Sequence, residues 1–257
     1  MLIDRFRLNG RRAFITGGAT GIGLTTALAF AEAGADVVIA GPEDDALERA
    51  RDLLASKGHE VGTQRLDITH SEACREAADR TNRDRGAVDI LVANAGVTWP
   101  DTAAEDLTDE AWRMLFDVNV NGTFWTCRAF GRHMLERQAG SVVTTGSISG
   151  VISNKPQRQA HYNSSKAAIH HLTKCLAGEW APRGVRVNCV APTYVNTSMS
   201  NGSADKPHIF GPWMEGTPMG RMVEPEEIAT VMLFLASDAS SAMTGSVVLA
   251  DAGYTVW

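Results

Sequence analysis

The stretch Thr16-Gly17-Gly18-Ala19-Thr20-Gly21-Ile22-Gly23 decides the fold. It follows a short apolar run, 13–16, and opens a longer segment, 22–33, with a helical pattern. Glycines at 17, 21 and 23 let the backbone turn tightly and come close to a pyrophosphate. The helix that starts there offers unpaired N–H groups and a positive dipole end to that anion. A glycine motif alone is a weak signal. Between a first strand and a first helix it predicts a phosphate-binding loop.

The alternation continues along the chain. Apolar runs at 37–40, 62–66, 90–93, 141–145, 185–190 and 246–249 read as strands, most of them rich in Val and Ile as buried parallel strands are. Helical patterns at 44–56, 71–84, 109–137, 160–180 and 225–237 separate them, and Gly34 and Gly58 stand where C-terminal helix caps belong. Seven strands and six helices predict one doubly wound α/β domain over residues 1–257, a Rossmann-type seven-stranded parallel sheet with helices on both faces. One stretch, 193–224, breaks the rhythm, with polar residues, Gly and Pro around Phe210, Trp213 and Met214. It follows a strand end, where open α/β sheets bind ligands, and is expected to be a substrate lid.

Composition narrows the function. No apolar run in the 257 residues approaches the ~20 needed to span a membrane. Met1-Leu2-Ile3-Asp4-Arg5-Phe6-Arg7 carries charges where a secretory signal has its apolar core, so a cytoplasmic location is expected. A net charge of −6 without a basic run makes nucleic acid and anionic membranes poor partners. Cys74, Cys127, Cys175 and Cys189 lack metal-ligand spacing, and the adjacent His170-His171 pair points to different faces of a helix, so no metal site is expected.

The spacing T-G-x-x-x-G-x-G resembles that of the short-chain dehydrogenases/reductases, and the resemblance extends over nearly the whole chain. Asp67 follows the third strand, Asn94-Ala95-Gly96 the fourth and Ser147 the fifth; Asn119 lies in the long helix, and Tyr162 and Lys166 form Y-x-x-x-K. The resemblance implies a nicotinamide cofactor held by Gly17, Thr20, Gly21, Ile22 and Gly23, with Asp67 and Ile68 at the adenine. It assigns further cofactor contacts to Asn94, Ala95, Gly96, Tyr162 and Lys166, and to Pro192, Val195 and Thr197 around the nicotinamide. Thr193 departs from the family pattern, which has Gly there.

Tyr162 and Lys166, four residues apart, share a helix face. An ammonium about 5 Å from the phenol, at an effective dielectric near 20, favours phenolate by roughly 3 kcal/mol, or about two pKa units. Tyr162 is therefore expected to have a pKa shifted toward neutral, to take the alcohol proton in oxidation and to return it in reduction. By resemblance, Lys166 also holds the nicotinamide ribose, Ser147 orients the reacting oxygen, and Asn119 anchors a water linking Lys166 to solvent.

NAD-dependent relatives carry Asp at the end of the second strand; NADP-dependent ones carry Arg or Lys there or in the glycine loop. Here Gly41-Pro42 and Ala19-Thr20 occupy those places, followed by Glu43, Asp44 and Asp45, with no cation before Arg49. Three carboxylates repel a phosphate dianion, so NAD is expected, with NADP as the alternative.

Ser149, Asn154, Gln157 and Tyr194, with Trp99 and the lid, are expected to form the substrate pocket. Their polar groups suit a polyhydroxylated small molecule. The segments Phe124-Trp125-Thr126-Cys127-Arg128-Ala129-Phe130-Gly131-Arg132 and Pro218-Met219-Gly220-Arg221, and the ending Asp251-Ala252-Gly253-Tyr254-Thr255-Val256-Trp257, resemble bacterial polyol dehydrogenases of the galactitol type. That implies hydride transfer between a nicotinamide and a secondary alcohol or ketone of a sugar alcohol or ketose. The alternative is a carbonyl reductase for acyl-carrier-bound or hydrophobic ketones, which Phe210, Trp213 and Met214 would suit. A non-catalytic dinucleotide sensor would be expected to lose Tyr162 or Lys166, and both are intact. Family habit, the apolar last strand and Trp257 point to a homotetramer.

Overall fold

In the computed structural model, which describes residues 1–200 and 206–257, seven parallel strands form one sheet. They are β1 (Arg12–Thr16), β2 (Asp36–Gly41), β3 (Gly62–Arg65), β4 (Ile90–Ala93), β5 (Gly140–Thr145), β6 (Val185–Pro192) and β7 (Val247–Ala250). Their order is β3-β2-β1-β4-β5-β6-β7. The order reverses between β1 and β4, and a crevice opens there beyond the strand C-termini. Register brings the loops together: Thr16 pairs with Ala93, and Ala93 with Thr144. The residues that follow these strands therefore emerge side by side.

The two-residue period of each strand builds two cores. Ala13, Ile15, Val37 and Ile39 face α1 (Gly21–Glu32), α2 (Asp44–Ser56) and α8 (Pro225–Ala236). Phe14, Val38, Ala40 and Leu91 face α3 (Ser71–Asp84), α5 (Thr123–Arg137) and α6 (Ala160–Trp180). Phe14 and Phe130 meet at 4.4 Å between ring centroids across the second core. The doubly wound α/β sheet is as the strand and helix patterns predict.

Two segments differ from expectation. The predicted helix 109–137 is α4 (Asp109–Phe116), a π-helical turn (Asp117–Gly122) and then α5. Thr123 Oγ1 donates to Asn119 O at 2.8 Å inside this turn. Such turns insert one residue and recur at functional sites; here the inserted turn carries Asn119. The stretch 193–224 contains a helix, α7 (Pro207–Glu215), which the sequence hides because it is short and has Pro212 inside it. Residues 201–205 of the expected lid lie outside the described residues.

Among the described residues, no helix is long and apolar enough to cross a membrane, and no group of His, Cys, Asp and Glu is placed to hold a metal ion. All four cysteines are free thiols.

Candidate active site

The crevice is a cleft of about 410 Å³. Its floor is the glycine loop. Gly17 and Gly21 have φ of +62° and +49°, and a Cβ on Gly17 would lie 2.9 Å from Ala95 Cα. Only glycine fits there. Asn94 braces the loop: its Nδ2 donates to Thr16 O and Gly17 O, each at 3.2 Å, and its Oδ1 accepts from Thr145 Oγ1 at 3.1 Å. Thr16 Oγ1 accepts the N–H groups of Asn94 and Ala95. This cradle, opening onto the N-terminus of α1, fits an extended dinucleotide.

Gly17, Thr20, Gly21, Ile22, Asn94, Ala95, Gly96, Pro192, Val195 and Thr197 all line the cleft. Gly23 sits beneath the loop, where a Cβ would strike Gly17 O. Asp67 and Ile68 are outside this set. The Asp67 carboxylate accepts the Thr69 N–H at 2.9 Å and its hydroxyl at 2.7 Å. Burial raises its pKa, but these two bonds outweigh that and hold it below the usual range. Ile68 is buried in the core, packed on Gly122 of the π turn. Thr193, the departure from the family glycine, extends the strand pairing through its N–H to Ala250 O at 3.3 Å. A β-branched residue suits that extended position.

Helix α6 carries Tyr162 and Lys166 toward the cleft. Lys166 Nζ donates to Thr145 O at 2.9 Å and stands 5.6 Å from the centre of the Tyr162 ring. Burial pulls the lysine down to about 8. Burial also pushes the Tyr162 phenol up, with only the Ser147 hydroxyl drawing it back. In the chain alone, burial thus works against the acidification of Tyr162 by Lys166. Desolvation of the phenol outweighs an ammonium that is turned onto a carbonyl and itself desolvated. At neutral pH the phenol holds its proton.

Ser147 precedes a short 3-10 turn (Ile148–Gly150) at the end of β5, and its Oγ accepts the Ser149 N–H at 3.1 Å. Asn119 is buried behind the cleft. Its Oδ1 accepts the Val97 N–H at 2.8 Å, and its Nδ2 donates to Val97 O at 2.9 Å and Ser165 Oγ at 3.2 Å. The side chain thereby pins the segment after Gly96 beside Lys166.

On the substrate side, Asn154 Nδ2 and Gln157 Nε2 donate to Tyr194 Oη at 3.2 and 3.3 Å. Gln157 Oε1 accepts from Trp213 Nε1 of α7 at 2.9 Å. Tyr194 is stacked on Trp213 and meets Tyr254 edge-on at 5.3 Å. Gln157 and Tyr194 are therefore engaged mainly within the protein. Asn154 Oδ1 and Thr193 Oγ1 are buried without a protein partner, and both residues line the cleft, as does Ser149.

Three contributors escape the linear reading. Tyr254 lies in the C-terminal stretch that carries the resemblance, but nothing in the sequence places it against Tyr194. His170 does give a signal, since it lies four residues after Lys166 on the same helix. Arg65 corrects the charge count at the adenosine end. It pairs in register with Gly41 at the end of β2, and its guanidinium lies 3.6 Å from the Asp44 carboxylate. A cation 24 residues along the chain from Gly41 is thus beside it in space.

A family model described as enoyl-(acyl carrier protein) reductase matches residues 17–255. A galactitol 2-dehydrogenase of Rhizobium johnstonii is 47% identical over 256 residues, covering 99% of this chain and 98% of that protein. The crystal structure of a short-chain type dehydrogenase/reductase from Mycobacterium marinum superposes with a TM-score of 0.95 at 43% identity, covering 99% of each chain. That of a gluconate 5-dehydrogenase from Burkholderia cenocepacia, in complex with NADP and tartrate, gives 0.94 at 32% identity over 100% of each. The glycine cradle and the paired tyrosine and lysine agree with these matches. The chain belongs to the short-chain dehydrogenase/reductase family and is a nicotinamide-dependent oxidoreductase acting on a CH–OH group.

Proposed function

We propose that the enzyme interconverts a secondary alcohol and a ketone on a sugar alcohol or ketose. The observation that carries this reading is the polar lining of the cleft beside Tyr162 and Lys166, to which Ser149, Asn154, Gln157 and Thr193 all contribute. A polar lining favours a ligand that supplies hydroxyls and disfavours an apolar one. The galactitol 2-dehydrogenase similarity supports the same class.

Bound nicotinamide dinucleotide supplies the hydride acceptor or donor. Tyr162, Lys166, Ser147 and Asn119 then divide the remaining work. The protonated Tyr162 phenol gives its proton to the ketone oxygen in reduction and takes it back in oxidation. Ser147 Oγ hydrogen-bonds and orients that oxygen. Lys166 holds ribose hydroxyls, and Asn119 keeps the segment after Gly96 in place next to it. Helix α7 and Tyr194 cover the substrate as a lid.

NAD is the proposed cofactor. Glu43 and Asp45 crowd the end of β2 with negative charge, and Arg65 is already paired with Asp44. A 2′-phosphate there would meet these carboxylates. The exposed apolar side chains of Leu249 on the edge strand β7 and of Val256 and Trp257 support a homotetramer. Four free thiols suit the reducing cytoplasm.

The test is a 340 nm panel of NAD and NADP with pentitols, hexitols and simple diols, then ketoses and acyl-thioester ketones in reverse. Turnover of a polyol or ketose is expected. Brisk reduction of apolar or thioester ketones with no polyol or ketose turnover would give the place to the carbonyl reductase alternative.

A further inference from the structure

His170 follows Lys166 by one helical turn and Tyr162 by two, along one row of α6. It is 8% exposed. Its imidazole lies between Gly146 and Gly150, the two glycines that bracket Ser147, Ile148 and Ser149; a Cβ on either would collide with the ring. Gly146 N–H makes the last ladder-like bond of this strand, to Val190 O at 2.8 Å. The next N–H, that of Ser147, donates to His170 Nε2 at 3.4 Å. A buried N–H without a partner is costly, so the ring occupies a place that backbone pairing leaves open. Nδ1 faces the Gly150 backbone, which assigns the ring proton to Nδ1 and the free lone pair to Nε2. Burial, aided by the Lys166 and Lys174 charges, pulls the imidazole down to about 4, so that lone pair stays available through the neutral range.

We infer that His170 is a positioning residue that holds the backbone of Ser147, and through it fixes the direction of the Ser147 hydroxyl at the reacting oxygen. The inference rests on the proposed role of Ser147. It explains why two glycines flank this serine: side chains there would evict the ring that supports it.

A double-mutant cycle in the full-length enzyme tests it. His170→Leu keeps an apolar body of similar size and removes the acceptor. Its kcat is expected to fall roughly ten- to hundredfold, the usual cost of a misplaced catalytic group, with dinucleotide affinity by fluorescence titration unchanged. His170→Gln offers an amide oxygen near the Nε2 position and should recover most of the loss. In a Ser147→Ala background, His170→Leu should cost almost nothing further, because the group it positions is gone. If the full His170→Leu factor persists in that background, or if Gln is no better than Leu, the inference is overturned and the ring is only core. Should His170→Leu not fold, His170→Met carries the same arm. Full turnover in Ser147→Ala alone would overturn the site assignment itself, and the inference with it.

Discussion

Trp213 lies flat on Tyr194, with ring centroids 3.8 Å apart and planes within 8° of parallel. One ring comes from the loop after β6, the other from α7. The same indole donates to Gln157 in the loop after β5. Three segments of the substrate side are thus tied at one point. Stacking and a buried hydrogen bond are each worth about 1 kcal/mol. Trp213→Ala should raise the substrate KM roughly thirtyfold, on that arithmetic, and leave dinucleotide affinity alone. Trp213→Phe, which keeps the stack, should fall between. An unchanged KM in Trp213→Ala would remove α7 from the lid.

Tyr162→Phe removes one oxygen and little volume. Turnover should drop by at least about a hundredfold, the lower end of what positioned acid–base groups contribute. Dinucleotide binding, followed by fluorescence titration, should persist. Retained turnover would strike Tyr162 from the mechanism.

The phenol is held up and the lysine down, and both shifts have consequences for pH. Ketone reduction needs the protonated phenol, which burial holds above its ordinary range, so its kcat should stay flat from about pH 6 to 9. Alcohol oxidation needs a proton acceptor and should rise over the same range. The Lys166 ammonium is lost as pH rises through about 8 in the free enzyme. Lys166→Met should therefore abolish any inflection near there and weaken dinucleotide binding. Stopped-flow rates in both directions across this range decide it. Identical profiles for the two directions would contradict the assignment of Tyr162.

Asp44 neutralises Arg65 beside the end of β2. Asp44→Asn should free the guanidinium and shift the NADP-to-NAD ratio of kcat/KM upward by roughly fivefold, about what one unit charge at contact distance gives in water. Arg65→Ala should shift it the other way. A ratio insensitive to both changes would show that cofactor choice is made elsewhere.

Much of the site is readable in linear order because helical and strand periods are local. Tyr162 and Lys166 share a face by spacing alone, and the glycine loop is flagged by its neighbours in sequence. The π turn at Asn119 is not readable, since one inserted residue leaves the apolar pattern of 109–137 nearly intact. Helix α7 is masked by Pro212 and Gly211, whose local preferences oppose a helix that tertiary packing of Trp213 and Ile209 sustains. The desolvation of Tyr162 is also not readable from spacing. Distance along a helix gives the charge partner, whereas the amount of water removed from the phenol depends on what else covers it.

The sequence by itself determined the α/β alternation, the phosphate-binding turn and the residue types of the proton-transfer pair, because each depends on backbone preference or on neighbours within about one helical turn. Only the tertiary structure decided which groups were already engaged. Asn94 is tied to the glycine loop, Gln157 to Trp213 and Arg65 to Asp44, while Asn154 Oδ1 and Thr193 Oγ1 are left unpaired. These pairings join residues far apart in the chain, and hydrogen bonds and desolvation depend on distance in space.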